Sequence, residues 1–245
     1  MRIYPIQNNN VYFSANNREV YNADNKFQYK TTTYFFRADT DWDALGNYLC
    51  EKYADTDKVN VICHACSNGM EPYSFLMQMT AFHPLEINKF TPIIAKDINS
   101  ENIEMAAKNI YDLSDTDASL LDYYTKGLYK FYMDNAFVKG IPPNLTCSMS
   151  DKFKKYVNFE QGDILKDIES IPRKNTVLFC KNLWPYLPVE QQEFLVKKFA
   201  ERFDDSCVII TGDFDKRLSK VNPLMIEHGF SRHPKMLYVY EKHKQ

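Results

Sequence analysis

The chain has 245 residues, of which 44% are hydrophobic and 25% charged, a composition typical of one soluble globular domain. The formal net charge of -2 provides no global basic surface, which makes nucleic acid and anionic membranes unlikely partners. No apolar stretch approaches the roughly 20 residues needed to cross a bilayer, and this excludes an integral membrane protein.

The cysteines and the N-terminus predict a cytoplasmic protein with reduced thiols. Six cysteines lie mostly inside apolar runs, and the first residues, MRIYPIQNNN, lack the apolar core of a secretion signal. Cys63 and Cys66 have a spacing that zinc sites and redox pairs use, but no second Cys/His pair with matching spacing accompanies them. We therefore interpret both as structural cysteines and predict no metal site.

The first part of the chain predicts an arm followed by helix, strand and helix. Residues 1–30 are polar with little periodicity, which predicts an N-terminal arm before one domain over residues 31–245. Thr40-Asp41-Trp42-Asp43 resembles a capping box in which the Thr40 hydroxyl and the Asp43 carboxylate bond free N–H groups, and a helix to about Tyr53 follows. Val59 to Ala65 is apolar and β-branched, and predicts a strand that turns into a helix near Glu71.

The rest of the chain continues this alternation with one interruption. Further strands are predicted at 92–96, 156–160, 176–180, 207–211 and 237–241, and further helices at 100–110, 188–203 and 218–228. Residues 112–150 contain a helical apolar stripe and a Pro-rich turn, which we interpret as an insertion or cap. A strand pair joined by a short turn at the C-terminus must be antiparallel. The pattern predicts a Rossmann-like, seven-stranded α/β sheet with a C-terminal antiparallel β-hairpin and an inserted helical segment.

Candidate ligand-binding residues follow the predicted strands, because open α/β sheets bind ligands beyond the carboxyl ends of their strands. Asp97 follows the second strand and suits a pair of ribose hydroxyls, although a helix-capping or surface aspartate is the alternative. Asp163 suits an adenine amine with Ile164 over the ring, and the alternative is a plain turn. The loop from Cys180 to Tyr186 brings amide, indole and phenol groups, which either bind a ligand or pack together.

Several segments resemble CheR-type protein-glutamate methyltransferases in order and spacing. They are TTTYFFR (31–37), CSNGMEPYS (66–74), AKDI (95–98), Ala107 to Tyr111, Phe159 to Leu165 and FCKNL (179–183). The most distinctive is Ser-x-Gly-x-Glu-Pro-Tyr-Ser, which stands where other methyltransferases have a glycine-rich loop. The resemblance implies a class I methyltransferase fold with S-adenosyl-L-methionine (SAM) as cofactor.

The resemblance also implies a role for individual residues. Thr33 and Arg37 would contact the amino-acid end of the cofactor or the substrate, Gly69 and Glu71 the methionine moiety, Asp97 the ribose, Asp163 and Ile164 the adenine, and Asn182 the sulfonium side. Tyr186 would face the methyl acceptor. Arg37 and Tyr186 are the candidate catalytic residues, with Arg37 holding the incoming carboxylate.

The sequence departs from the family pattern at several positions. Met70 replaces a usual glutamate, Asn109 a usual glycine, and Lys181 a usual arginine, which keeps the charge but loses the planar fork. Residues 1–30 are too short for the helical domain that chemotaxis enzymes carry before the Phe-Phe-Arg segment. We therefore expect that chemoreceptor methylation is not the function of this protein, or that a partner supplies that domain.

The acceptor is open at the level of sequence. A carboxylate of a protein or small molecule is already ionised at neutral pH, so its methylation needs alignment and no general base. A nitrogen acceptor is the alternative, since Asn182 to Tyr186 is loosely similar to the Asn-Pro-Pro-Tyr turn of N-methyltransferases. A second alternative is a non-catalytic protein that senses SAM or acts as a scaffold. The sequence indicates neither the oligomeric state nor the pathway.

Overall fold

The computed structural model describes residues 33–113, 115–134 and 145–242. The predicted arm, residues 1–30, lies outside the described residues. The described strands are β1 (Asn60–His64), β2 (Ile93–Asp97), β3 (Ile110–Leu113), β4 (Met133–Asp134), β5 (Leu145–Met149), β6 (Val157–Gln161), β7 (Thr176–Phe179), β8 (Val208–Ile210), β9 (Phe230–Arg232) and β10 (Val239–Lys242).

Seven of these strands form the central sheet, in the order β6-β2-β1-β7-β8-β10-β9. β6, β2, β1, β7 and β8 pair in parallel, whereas β10 is antiparallel to both β8 and β9. Val61 at the centre of β1 lies opposite Ile93 of β2 and Val177 of β7. The predicted seven-stranded methyltransferase fold with a C-terminal antiparallel hairpin is therefore confirmed.

Helices cover both faces of this sheet. They are α1 (Trp42–Lys52), α2 (Met70–Phe82), α3 (Ser100–Lys108), α4 (Asp115–Thr125), α5 (Tyr129–Tyr132), α6 (Asp151–Lys154), α7 (Ile164–Asp167), α8 (Val189–Arg202), α9 (Asp213–Leu218) and α10 (Val221–Glu227). Successive strand side chains point to opposite faces, so Val61 and Cys63 pack with α1 and α2 while Ile62 packs with α8. Within the described part of the chain, no helix has the length and apolar character that crossing a membrane requires.

Two details differ from the sequence-based prediction. The N-cap of α1 is Asp41, whose carboxylate accepts the N–H of Ala44 at 3.0 Å, so the predicted capping box of Thr40 and Asp43 is wrong. The Thr40 hydroxyl instead accepts a hydrogen bond from Lys181. The predicted helix over 218–228 is α10, which begins at Val221, and a short helix that the sequence did not predict, α9, precedes it and ends at Leu218.

The inserted segment contains helices, as predicted, and also an unpredicted three-stranded antiparallel sheet. Its order is β3-β5-β4, and Tyr111 of β3 lies opposite Cys147 of β5. Tyr111 and Leu113 are buried, whereas Ile110 and Asp112, which alternate with them, are exposed. The small sheet therefore packs one face onto the domain, and it places Tyr111 beside the loop that follows β1.

Candidate functional site

The loop between β1 and α2 holds a strained backbone conformation at the carboxyl end of the sheet. Ala65 and Ser67 have φ of 59° and 54°, and Gly69 has φ of 90°. Non-glycine residues in the left-handed region are disfavoured by about 1–2 kcal/mol each, and such strain concentrates at functional sites. The Tyr111 hydroxyl donates to the carbonyl oxygen of Asn68 at 3.3 Å and supports the loop from the small sheet.

Gly69 is required by packing as well as by its backbone angle. A Cβ atom at this position would lie 2.6 Å from the Phe159 ring of β6. Glycine therefore lets the loop close onto the strand that precedes the candidate adenine residues. Met70, the next residue, is buried in the core next to α1 and α2, so it presents no polar group in place of the glutamate usual in the family.

Asp97, the last residue of β2, accepts hydrogen bonds from two segments of the candidate site. We call this site the crevice, meaning the space beyond the carboxyl ends of β1, β2, β6 and β7. Its Oδ2 atom accepts the N–H of Ser67 at 2.8 Å, and its Oδ1 atom accepts the N–H of Asn99 at 2.9 Å and the amide of Asn102 at 3.1 Å. A carboxylate offers about four acceptor positions, and three are used here. The side chain is buried, so it is not the surface aspartate that was the alternative. Among the described residues, one acceptor position on Oδ2 has no partner.

The loop after β6 lies next to Asp97. The N–H of Gly162 donates to the carbonyl oxygen of Asp97 at 2.9 Å. Asp163 is the N-cap of α7 and accepts the N–H of Leu165 at 3.0 Å, while its second oxygen lies 3.7 Å from Lys166 Nζ. Ile164 is buried in the apolar cluster on the α8 face. The two predicted carboxylates therefore stand at the ends of adjacent strands.

The segment with the Phe-Phe-Arg motif docks directly onto the Glu-Pro-Tyr-Ser helix. The N–H of Phe36 donates to Ser74 Oγ at 2.9 Å, and that hydroxyl donates to the carbonyl oxygen of Met70 at 2.8 Å. The Arg37 guanidinium lies 5.2 Å from the centre of the Tyr34 ring. Thr33 is half-buried at the start of the described residues. The two most distinctive motifs are thus neighbours in space.

A buried charge cluster joins these segments to the loop after β7. The fully buried Lys181 ammonium lies 3.0 Å from Asp39 Oδ1, 3.5 Å from Glu71 Oε2 and 5.3 Å from the centre of the Trp42 ring. Burial raises the pKa of Glu71, against the attraction of Lys181. Burial also acts to raise the pKa of Asp39, but Lys181 and Arg37 outweigh it and hold the pKa below its ordinary value.

Asn182 and Tyr186 follow Lys181 along the same loop. Asn182 has φ of 57°, a left-handed conformation that asparagine tolerates better than most residues. Its N–H donates to Asp215 Oδ2 at 2.6 Å. Burial raises the pKa of the Tyr186 phenol, while the positive charge of Arg37 acts in the opposite direction. The two candidate catalytic residues therefore interact electrostatically.

The polar atoms left over at the crevice fit an adenosyl sulfonium with an amino-acid tail. Within the described residues, three buried oxygens at the strand ends have no hydrogen-bond partner, namely Ser67 Oγ, Asn68 Oδ1 and Asn182 Oδ1. Buried oxygens of this kind are costly unless a ligand or water bonds them. Of these three residues, Ser67 is the one in contact with Asp97, whose Oδ2 atom accepts its N–H at 2.8 Å. These groups suit the hydroxyls and the ammonium of SAM.

Two functional candidates, Asp215 and Asp39, were missed by the sequence reasoning. Asp215 lies in α9, shortly after the end of β8, within the region beyond a strand end to which the rule for Asp97 also points. Asp39 had no such signal, because its partner Lys181 lies 142 residues away in the chain. Cys63 and Cys66, singled out for their spacing, are both buried in the core, and burial raises the pKa of each thiol.

The burial of His64, at the end of β1, predicts how the free energy of unfolding depends on pH. It is 2% exposed, and burial lowers its pKa from 6.5 to about 4. As the pH falls through 6.5 the unfolded chain takes up a proton that the folded chain refuses, so stability present above pH 6.5 is lost toward pH 4. In His64→Phe the loss of unfolding free energy between pH 7 and 4.5, measured by urea denaturation, should be smaller by about 2–3 kcal/mol. An unchanged loss would contradict this burial.

Comparison with known proteins identifies the family of the chain. The family described as "CheR methyltransferase, SAM binding domain" matches residues 31–227. The chemotaxis protein methyltransferase of Borreliella burgdorferi is 22% identical over 187 residues, which cover 74% of this chain and 62% of that protein. The chemotaxis protein methyltransferase of Salmonella typhimurium is 23% identical over 181 residues, which cover 74% of this chain and 58% of that protein.

The chain thus spans about three fifths of the length of these curated relatives. Among solved structures, magnesium protoporphyrin IX methyltransferase from Synechocystis PCC 6803 with bound SAM has a TM-score of 0.39 and 12% identity, covering 82% of this chain and 78% of that chain. This score is too low to bear on function. The predicted resemblance and the predicted cofactor are confirmed by the family match, and the chain belongs to the CheR methyltransferase family, whose SAM-binding domain it contains.

Proposed function

We propose that the protein is a methyltransferase that transfers the methyl group of SAM to a carboxylate. The proposed carboxylate belongs to a protein rather than to a small molecule. The observation that carries the proposal is that the Phe-Phe-Arg segment docks on α2, where the N–H of Phe36 donates to Ser74 Oγ at 2.9 Å. This contact brings the positive charge of Arg37 beside the buried cluster of Asp39, Glu71 and Lys181. A carboxylate acceptor needs a cation to hold it and no base to activate it. The similarity to relatives that are named chemotaxis protein methyltransferases supports a protein acceptor.

The other candidate residues of the crevice would bind the cofactor. Glu71, Asp97, Asp163, Ile164 and Asn182 would hold the cofactor, with Thr33 and Gly69 at its amino-acid end. When bound, the cofactor supplies an activated methyl group on sulfur. A carboxylate oxygen of the acceptor forms the new bond to carbon, the sulfur keeps the electron pair of the bond that breaks, and no proton moves.

Alignment is then the main task of this chain. Arg37 would hold one oxygen of the acceptor, and Tyr186 would limit its approach to the line of the methyl–sulfur bond. Orientation of this kind contributes on the order of several kcal/mol to catalysis. We further propose a cytoplasmic location, because the described cysteines are unpaired and most are buried.

The chemical nature of the product tests the acceptor. The full chain is incubated with SAM labelled in its methyl group and with lysate proteins and small molecules. A methyl ester releases volatile methanol in mild alkali, whereas an N-methyl group remains bound. Release of most of the label supports a carboxylate acceptor. Alkali-stable label would indicate a nitrogen acceptor, and binding of the demethylated product S-adenosylhomocysteine without any transfer would indicate a sensor or scaffold.

Arg37→Lys should weaken the use of the acceptor without unfolding the protein. The variant keeps the charge but loses the planar guanidinium that suits two oxygens of a carboxylate. We expect kcat/KM for the acceptor to fall about 10- to 100-fold, corresponding to about 1.4–2.7 kcal/mol. Arg202→Lys is the matched control, since Arg202 pairs with Glu169 outside the crevice. Equal activities of the two variants would remove Arg37 from the site.

A further inference from the structure

Asp215 connects the segment that follows β7 with the turn that follows β8. It lies in the first turn of α9, directly after β8, and its side chain has no exposed surface. Its Oδ2 atom accepts the N–H groups of Gly212 and Asn182, both at 2.6 Å, and its Oδ1 atom accepts the N–H of Trp184 at 3.2 Å. One carboxylate thus satisfies backbone donors from two separate loops.

Two of these donors belong to the loop that carries Asn182 and Tyr186. The loop turns back on itself at Asn182, where the backbone is left-handed with φ of 57°. The far side of the loop is held by Gln192 of α8, whose amide donates to the carbonyl oxygen of Trp184 at 3.0 Å. Asp215 therefore holds the first part of the loop, at Asn182 and Trp184, from the side opposite to Gln192.

The Asn182 side chain packs directly against Gly212. A Cβ atom at Gly212 would lie 2.9 Å from Asn182 Oδ1 and 3.0 Å from Asp215 Oδ2. Alanine at position 212 would therefore displace the Asn182 side chain. Among the described residues, Asn182 Oδ1 has no hydrogen-bond partner.

We propose that Asp215 is a positioning residue for methyl transfer, which holds the Asn182–Tyr186 loop in the conformation that presents both side chains to the bound cofactor and acceptor. It touches neither of them, because it is fully buried. The inference rests on the proposed function for its effect on activity. The holding of the loop is a separate claim that can be measured without a substrate.

The test uses Asp215→Asn and Gly212→Ala in the full chain. The amide of the first variant places a donor against backbone donors, and the methyl group of the second displaces Asn182 while the carboxylate remains. We expect kcat at saturating SAM and acceptor to fall at least 10-fold in both. The KM for SAM should change less than kcat. Asp204→Asn is the control, because Asp204 accepts the N–H of Ser206 at the opposite edge of the sheet.

A second readout is independent of activity. Trp42 and Trp184 are the two tryptophans of the chain and are both buried, so acrylamide should quench their fluorescence weakly in the native protein. Release of the loop should raise the quenching constant at least twofold in Asp215→Asn and leave it unchanged in Asp204→Asn. Unchanged quenching together with unchanged kcat would overturn the proposal. Wild-type protein that fails to bind S-adenosylhomocysteine would instead overturn the proposed function, and quenching would still decide whether Asp215 holds the loop.

Discussion

Asp97→Asn is expected to weaken the binding of S-adenosylhomocysteine about 100-fold, or about 2.7 kcal/mol. The variant replaces one carboxylate oxygen by an amide nitrogen, which cannot accept a hydrogen bond. It therefore loses a contact to the ribose, or the contact to Ser67 that fixes the loop after β1 at 2.8 Å. Isothermal titration calorimetry at neutral pH measures the change directly.

The control for this prediction is again Asp204→Asn. Asp204 also accepts a backbone N–H, from Ser206 at 2.9 Å, but at the edge of the sheet that lacks the crevice. Its loss should lower stability slightly and leave the affinity for S-adenosylhomocysteine within about twofold of the wild type. If Asp97→Asn bound the ligand as tightly as this control does, Asp97 would be a purely structural residue.

Gly69→Ala is expected to lower the free energy of unfolding by about 2–4 kcal/mol. Part of the loss is the left-handed backbone, and the rest is the clash of the new methyl group with Phe159. Urea denaturation followed by circular dichroism measures it. S-adenosylhomocysteine binding should fall as well, because the loop must move off Phe159.

Gly229 offers a matched control on the same chain. It has φ of 85°, close to the 90° of Gly69, but a Cβ atom there would meet no atom within 4 Å. Gly229→Ala should therefore show the backbone effect alone, about 1 kcal/mol. The double variant Gly69→Ala with Phe159→Leu should recover part of the difference. Equal losses at the two glycines would show that the contact with Phe159 is unimportant.

The sheet could be predicted from sequence because its strands are short, β-branched and separated by amphipathic helices. β1 and β7 are central strands whose middles are buried on both faces, and each contains an unbroken apolar stretch, Val61 to Cys63 and Val177 to Phe179. The candidate site followed from the same pattern, since the ends of parallel strands meet at one edge. Asp97 and Asp163 were found by that rule, and the structure places them at adjacent strands.

The parts that sequence did not predict depend on contacts between distant residues. β3 pairs Ile110 with Ser148 across a long connection, and nothing local to either strand specifies that partner. The four residues of β3 alternate between exposed and buried, but their sequence, Ile-Tyr-Asp-Leu, does not alternate between polar and apolar residues and therefore gives no strand signal. The charge cluster is similar, because Lys181 reads locally as the end of a strand and acquires its role only when Asp39 and Glu71 fold against it.

The central claim is that the loops leaving β1, β2, β6 and β7 together bind SAM. A crystal structure of the full chain with S-adenosylhomocysteine tests it most directly. A ribose hydroxyl should lie within hydrogen-bonding distance of Asp97 Oδ2, and the adenine should lie beside Asp163 and Ile164. Ligand bound elsewhere on the protein, or Asp97 bonded only to Ser67, Asn99 and Asn102 with the ligand present in the crevice, would contradict it.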